Sequence, residues 1–539
     1  MNTSIHTPQP KKQALNKSLV LLLILVLFLL FALLSIRAIV TAPVEASTMV
    51  YGAPIAIHNP VPTENDVFGV SVSIDGDTFV VGAHEYGTAA ADAGSAYLYD
   101  AATGTLLRTF NNPTPAGQDS FGWSVAHSGG KVLVGAIRDN TGASDAGSAY
   151  LFDATTGALL HTFNNPTPAV DDHFGYSVSL AGDKALIGAI HDETGATNAG
   201  SAYLFDATTG ALLHTFNNPT PAAYEDFGVS VSLSGDKALI GAFHDGFGAT
   251  DDGSAYLFDT TTGALLRTFN NPTPAANDGF GVSVSISGDK ALIGASHDTG
   301  ATDAGSAYLF DATTGALLHT FNNPTPAAGD VFGVSVSLSG DKALIGTPGD
   351  AAGATNAGSA YLFGATTGAL LHTFNNPTPA PYDHFGISVS LSGDKVMIGT
   401  LEDDTGAANA GSAYLYLLQP DTDGDGIADS ADNCPADANA DQADTDADGQ
   451  GNPCDFTPNG DTDGDGIDEL VDNCPGVANA LQEDNDVDGI GNACDPTPNG
   501  ETNPNPTSVD QCKQLGWMDF AFSNQGQCVA FVNTGHDSR

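Results

Sequence analysis

Small and large residues alternate through Phe174-Gly-Tyr-Ser-Val-Ser-Leu180, the two-residue period of a β-strand. Ala181-Gly-Asp-Lys184 reads as a tight turn and Ala185-Leu-Ile-Gly-Ala189 as a second, apolar strand. A loop follows from His191 to Gly200. Ser201-Ala-Tyr-Leu-Phe205 is then a third strand, Asp206-Ala-Thr-Thr-Gly210 a turn, and Ala211-Leu-Leu-His-Thr-Phe216 a fourth strand. Asn217-Asn-Pro-Thr-Pro221 stops the pairing, because proline has no N–H to give a ladder. No helical period occurs in this unit.

The unit repeats. Phe-Gly followed by Ser-Val stands at Phe68, Phe121, Phe174, Phe227, Phe280, Phe332 and Phe385, in steps of 53, 53, 53, 53, 52 and 53 residues. A fixed period of this size predicts a propeller or a solenoid. Four short strands per unit choose the propeller, and seven copies lie within its usual range of about 4–8 blades. The expected fold class is therefore all-β, with a seven-bladed propeller of four-stranded blades over residues 53–418. The last copy stops at Ser412-Ala-Tyr-Leu-Tyr416 without a fourth strand. Asn59-Pro-Val-Pro62 aligns with Asn112-Pro-Thr-Pro115, which puts Ile57 where Phe110 falls. Ile55–His58 is thus predicted to pair with Tyr414–Leu417 as the outer strand of the seventh blade, closing the ring and removing its open edges.

Phe-Gly-x-Ser-Val, Ile-Gly-Ala and Gly-Ser-Ala-Tyr-Leu-Phe resemble the FG-GAP repeat of integrin-α-type propellers. Many blades of that family carry an Asp-rich calcium loop between the first two strands. Here that turn is only Ser234-Gly-Asp-Lys237 or a close variant, with too few ligands, so blade calcium sites are not carried over.

Residues 421–495 differ abruptly, with 22 Asp plus Glu and no Lys or Arg. Four loops share a 12-residue template, with Asp at positions 1, 3, 5 and 12 and Gly at 6. Calcium takes six to eight oxygens on a sharply turned loop, and the glycine permits the turn. Asp421, Asp423, Asp425, Asp429 and Asp432 form the first expected ligand set, and Asp444, Asp446, Asp448 and Asp455 the second. Asp461, Asp463, Asp465 and Asp472 form the third, and Asp484, Asp486, Asp488 and Asp495 the fourth; position 7 adds a backbone carbonyl. Zinc fits poorly, since the surroundings are oxygen-rich and no CxxC occurs. Asp432-Asn-Cys-Pro435 with Asn452-Pro-Cys-Asp455, and Asp472-Asn-Cys-Pro475 with Asn492-Ala-Cys-Asp495, resemble two thrombospondin type 3 units. That resemblance implies an irregular calcium-bound segment with disulfides Cys434–Cys454 and Cys474–Cys494.

Residues 496–508 read as a Pro/Asn linker and 509–539 as a small module. Cys512–Cys528 is expected to staple that module, with Trp517 and Phe520 as its core. At the other end, residues 1–47 form a targeting segment. Lys11, Lys12 and Lys17 precede sixteen apolar residues, Leu19 to Leu34, then Arg37 and the small-residue site Val44-Glu-Ala46. That length lies between a signal core and a spanning helix. A cleaved signal is favoured over an uncleaved anchor, which would be the chain's one membrane contact; either exports the remainder. Six cysteines, an even number, suit that oxidising setting.

The formal charge of −49 arises from 64 acids against 15 Lys plus Arg. Basic residues are what the chain lacks, which argues against nucleic-acid binding. His191-Asp192, His244-Asp245 and His297-Asp298 recur after the second strand, with His84-Glu85, Arg138-Asp139, Pro348-Gly349 and Glu402-Asp403 read as their equivalents. A nucleophile needs one distinct partner, and repeated His-Asp pairs read as loop capping or surface. His161, His214, His319 and His372 read as exposed strand residues. The long loops, such as His191–Gly200 and Asn217–Asp226, emerge on one side, and loops on a rigid scaffold concentrate binding residues. Integrin-type propellers, which the repeats resemble, also bind partners there. His84, Arg138, His191, His244, His297 and Glu402 are the expected surface contacts. The resulting expectation is an exported, calcium-binding, non-catalytic adhesion or binding protein for an extracellular protein or glycan. A carbohydrate-active enzyme of lyase or hydrolase type and a ligand-free envelope scaffold are the alternatives.

Overall fold

The computed structural model describes residues 48–85, 93–245, 252–298 and 303–499, with isolated positions between 509 and 533. Two compact units divide the chain: Tyr51–Leu418, and a second formed by the segments flanking it. Among the described residues no helix is long and apolar enough to cross a membrane; residues 1–47 lie outside them.

The first unit is a ring of seven four-stranded sheets. The second blade illustrates them, with strands Phe121–Ser128, Lys131–Ala136, Ser148–Asp153 and Leu159–Asn164 in sequential antiparallel order. Ile55–His58 completes the seventh sheet beside Ser412–Tyr416, as the truncated last repeat predicts. The register differs by two residues from the predicted one. Ile57 faces Ala413 just as Phe110 faces Ala96, so the ladder covers Ser412–Leu415. Leu417 instead accepts a bond from the Gly52 N–H at 3.3 Å. A short pairing of Thr48–Tyr51 with Leu418–Asp421 was not legible in the pattern.

The repeat motif is explained at the junctions between blades. Gly175 of one Phe-Gly pair has φ +93°, and its carbonyl oxygen lies where a Cβ on Gly135 of the preceding blade would be. Gly399 and Gly69 make the same contact across the seam of the ring. Both glycines are needed because two backbones touch. The serine of Phe-Gly-x-Ser-Val-Ser has a second use. Ser73 Oγ accepts the His127 N–H (2.9 Å), Ser232 Oγ the Ile286 N–H (3.1 Å), and Ser390 Oγ the Ile74 N–H (3.1 Å). In six of the seven blades the innermost strand thereby has a free edge donor satisfied by the previous blade. Ala126 stands at the serine's place in the second blade. The Phe of every Phe-Gly pair is fully buried, packed on the blade's own aromatics: Phe121 lies 5.8 Å from Tyr150 and 6.1 Å from Phe152.

Candidate functional site

The acidic segment consists of four loops bound by the same hydrogen bonds. Asp421 Oδ1 accepts the Gly424 N–H (2.7 Å) and Asp461 Oδ2 the Gly466 N–H (2.8 Å), so the first carboxylate folds the chain around itself. Asp425 Oδ1 accepts the Ile427 N–H at 2.8 Å and Asp432 Oδ1 the Cys434 N–H at 2.7 Å. These bonds leave other oxygens facing inward. Asp421/Asp423/Asp425, Asp444/Asp446/Asp448, Asp461/Asp463/Asp465 and Asp484/Asp486/Asp488 each bring ligand atoms within 4.8 Å of one another.

Two observations test whether a cation suits these loops. Buried carboxylate oxygens without a partner occur at position 3 (Asp423, Asp463, Asp486) and at position 12 (Asp432, Asp455, Asp495). Desolvation pushes the carboxyls of Asp423, Asp446, Asp463 and Asp486 up, reinforced by the charges at positions 5 and 12 of the same loop. Position 12 adds its charge to this rise in every loop although 9 residues separate it from position 3, while the oxygens within 4.8 Å of one another come from positions 1, 3 and 5. An oxygen-rich, anionic cage of this kind fits a hard divalent cation. Asp429, also in the expected first set, is held by Thr422. Its Oδ1 and Oδ2 accept the Thr422 N–H and Oγ1–H, both at 2.7 Å, and it braces the loop. Asn452, Glu469 and Asn492 make the equivalent backbone bond in the other three loops.

Cys434–Cys454 and Cys474–Cys494 are disulfides, each with Cα atoms 5.7 Å apart. Each joins the end of one loop to the end of the next. Cys528 is buried and disulfide-bonded; Cys512, Trp517 and Phe520 lie outside the described residues.

On the propeller, strand registers correct the expected equivalences. Ala83 faces Ser95 as Ala136 faces Ser148, and Thr347 faces Ser359. Glu85 and Gly349, rather than His84 and Pro348, therefore correspond to Arg138, His191, His244, His297 and Glu402. The structure brings some of these residues together. Asp226 lies between His191 (Nε2–Oδ1 3.7 Å) and His244 (Nδ1–Oδ2 2.9 Å), and His173 lies 4.9 Å from His191 ring to ring. His244 and His297 share a cavity of about 210 Å³ with Phe243, Asn277 and Gly279. The others have different neighbours. His84 is buried with its ring 4.8 Å from Trp123, and Glu402 lies 4.0 Å from His384. The positive charge of Arg138 adds to the burial that pushes His173 down. Asp226, His173 and His384 escaped sequence reasoning. Each precedes a Phe-Gly pair in the left-handed region, with φ of 53°, 54° and 56°. The signal available was variation: that position reads Val67, Ser120, His173, Asp226, Gly279, Val331 and His384.

The aspartates of the His-Asp pairs are not surface groups. Asp192, Asp245 and Asp298 are buried, and each accepts the hydroxyl of a tyrosine in its own blade, Tyr203, Tyr256 or Tyr308. Asp192 Oδ1 also takes the Thr194 N–H at 2.8 Å. A second buried acid accompanies it. Asn165 Nδ2 donates to Asp172 (2.7 Å) and Asn271 Nδ2 to Asp278 (2.8 Å). Desolvation, with the charges of Asp192 and Asp298, pushes Asp172 and Asp278 up to about 6. His161, His214 and His319, expected as exposed strand residues, are half-buried and reach the next blade's turn at Thr208, Thr261 and Thr366. His372 lies 5.3 Å from Tyr51 ring to ring.

Fold and loops together define a closed, repeat-built propeller joined in one chain to a disulfide-linked segment of acidic cation loops. Family comparison matches the FG-GAP repeat to residues 61–99, 115–152, 168–205, 220–258, 273–310, 325–363 and 379–416. The thrombospondin type 3 repeat matches residues 419–442 and 443–482. The chain is an FG-GAP repeat β-propeller protein that carries thrombospondin type 3 repeats. Both repeats and the disulfides point to an extracellular or surface protein of calcium-binding type. No curated protein matches the chain.

Proposed function

We propose that this protein is an exported, non-catalytic adhesion or binding protein whose loop face contacts an extracellular protein or glycan. The observation that carries the reading is the His191–Asp226–His244 group with His173. Residues that differ from blade to blade are held side by side on an otherwise repetitive ring. Binding residues concentrate on loops positioned by a rigid scaffold. The buried aspartates argue for this reading over a carbohydrate-active enzyme, because Asp192, Asp245 and Asp298, which follow His191, His244 and His297 in sequence, are taken by tyrosine hydroxyls, and Asp226 is held between two imidazoles. An acid or base needs an oxygen within reach of substrate. Calcium is the cation assigned to the repeats. Positions 1, 3, 5 and 12 supply carboxylates and position 7 its carbonyl, and extracellular modules of this kind bind it at about 10⁻⁴ to 10⁻³ M. Export by a cleaved signal in residues 1–47 accounts for the disulfides.

The test is a protein and glycan array probed with the calcium-loaded ectodomain. Alanine substitution of His191, Asp226 and His244 is expected to abolish binding to the partner found. Control changes in the Ser234–Lys237 turn are expected to leave binding intact. Loss only in the turn variants places the contact on the other side.

A further inference from the structure

On the side of the ring that carries the short turns, one junction is unlike its neighbours. In blades three to seven, the lysine that opens the second strand reaches the next blade's first turn. Lys184 Nζ donates to Gly235 O (3.3 Å) and Thr260 Oγ1 (2.9 Å). Lys237 pairs with Asp289 (3.0 Å), Lys290 with Asp341 (3.1 Å), Lys342 with Asp394, and Lys395 with Asp77 (2.7 Å). Between the first and second blades both partners are replaced: Thr78 stands for the lysine and Gly130 for the aspartate. A cavity of about 380 Å³ lies there, against Gly130, Ala154 and Thr155, the places a lysine tip reaches at the other junctions.

Two further replacements line the same cavity. His127 takes the position of Ile74, Leu180 and Leu233, core aliphatics in other blades. It is 7 % exposed, its Nδ1 has no partner, and its Nε2 lies 3.4 Å from Thr78 Oγ1. Burial pushes this imidazole down, so it is neutral and offers a lone pair. Asp75 takes the position of Ser128 and Ser234. It accepts the Gly129 N–H at 2.8 Å and has no ion pair among the described residues. Leu98 and Leu107 supply an apolar wall. Arg108 also lines the cavity, but its guanidinium is committed to Ala154 O (3.2 Å) and Thr155 O. Its counterpart Arg267 makes the same contact with Thr313 O at the junction that holds Lys237, so guanidinium and ammonium coexist there.

We propose that the cavity between the first two blades binds a primary ammonium group on an aliphatic stem, the chemistry of a lysine side chain or a free alkylamine. Three N–H donors meet the Asp75 carboxylate, the Thr78 hydroxyl and the His127 lone pair. The site lies on the short-turn side and is independent of the loop face.

The probe is n-butylammonium chloride, added to the full calcium-saturated chain while the propeller's thermal midpoint is followed. Potassium chloride of equal ionic strength and n-butanol serve as controls. A saturable rise with the ammonium alone is expected. Thr78→Lys, which puts a tethered ammonium in the cavity, is expected to raise the midpoint by itself and remove the response. Asp75→Asn keeps the shape and is expected to weaken the apparent affinity by about tenfold, the loss of one charge-assisted bond. A response to Nα-acetyl-lysine amide equal to that of butylammonium assigns the site to protein lysines, and a response to butylammonium alone assigns it to free amines. No saturable rise, or an unchanged response in both variants, overturns the proposal.

Discussion

Asp192 in the propeller and Asp423 in the repeats both hold carboxylate oxygens away from water, and they are satisfied differently. Asp192 is surrounded by donors from its own chain, Tyr203, Thr167 and Thr194. Asp423 keeps an oxygen without a partner and is crowded by Asp421, Asp425 and Asp432. The first arrangement is complete in the polypeptide alone; the second calls for a cation. A buried polar group must find its partner somewhere, and the two regions show that the source can be internal or external within one chain.

Removing calcium should separate the regions most strongly. An ion at a hundred times its dissociation constant stabilises its loop by about 2.7 kcal/mol, and without it the acids of residues 421–495 repel one another. Chelator is expected to expose this segment to protease and leave the propeller intact. Equal cleavage within 421–495 with and without chelator ends the comparison.

Next in size is a change in the seam blade. Ile57 is 3 % exposed and faces Ala413. Ile57→Ala is expected to lower propeller stability by about 2–4 kcal/mol, with no change in calcium affinity measured by titration calorimetry. A coupled loss of both would mean that the regions are not independent.

Tyr203→Phe removes the donor to Asp192 and leaves a buried carboxylate short of one bond. A cost of about 1–3 kcal/mol is expected, read as a shift in denaturant midpoint and insensitive to chelator. A chelator-dependent cost would contradict the internal satisfaction described above.

The smallest effect is the most discriminating. Asp172 and Asp278 are pushed up to about 6, above an unfolded carboxyl near 3.8. Between those values the folded state binds more protons at these two acids, so their contribution to propeller stability rises as pH falls from 7 toward 4 and is lost as pH climbs through 6, against the opposite contribution of the buried imidazoles of His127 and His173. Calcium ligation needs ionised carboxylates, so the repeats weaken over the same descent. Calorimetric transitions at pH 7, 6 and 5 in fixed calcium are expected to move in opposite directions. Parallel movement would show that the two sets of acids are not distinct.

The strand order and the ring closure were legible because a 53-residue step repeats and one strand is missing at the end where it should stand. The cation loops were legible because Gly at position 6 and Asp at 1, 3, 5 and 12 recur in phase. The bracing of the loop by Asp429 was not legible, because a carboxylate two residues past the backbone ligand looks the same in sequence whether or not it bonds Thr422. The burial of Asp192 could not be read, since it depends on Tyr203 from the neighbouring strand and Thr167 from the preceding loop. His84 was placed one position off because residue type was matched before register. The group at Asp226 was hidden by a backbone turn into positive φ, which nothing in His173, Asp226 or His384 announces.

Ring closure by a strand from the opposite end also sets the path of mechanical load. Residues 51 and 418 leave the ring at one blade, where Ile55 faces Leu415 and His58 faces Ser412. Tension applied between them meets the pairing of Thr48–Tyr51 with Leu418–Asp421 and the packing of Tyr51 on His372 before it reaches that seam. Once those outer contacts and the Gly52–Leu417 bond give way, the pull enters the ladder at its Ile55–Leu415 end, so its bonds are strained one after another, as in a zipper, and not all at once in shear. A propeller under traction would therefore open first at its seam and expose one blade edge.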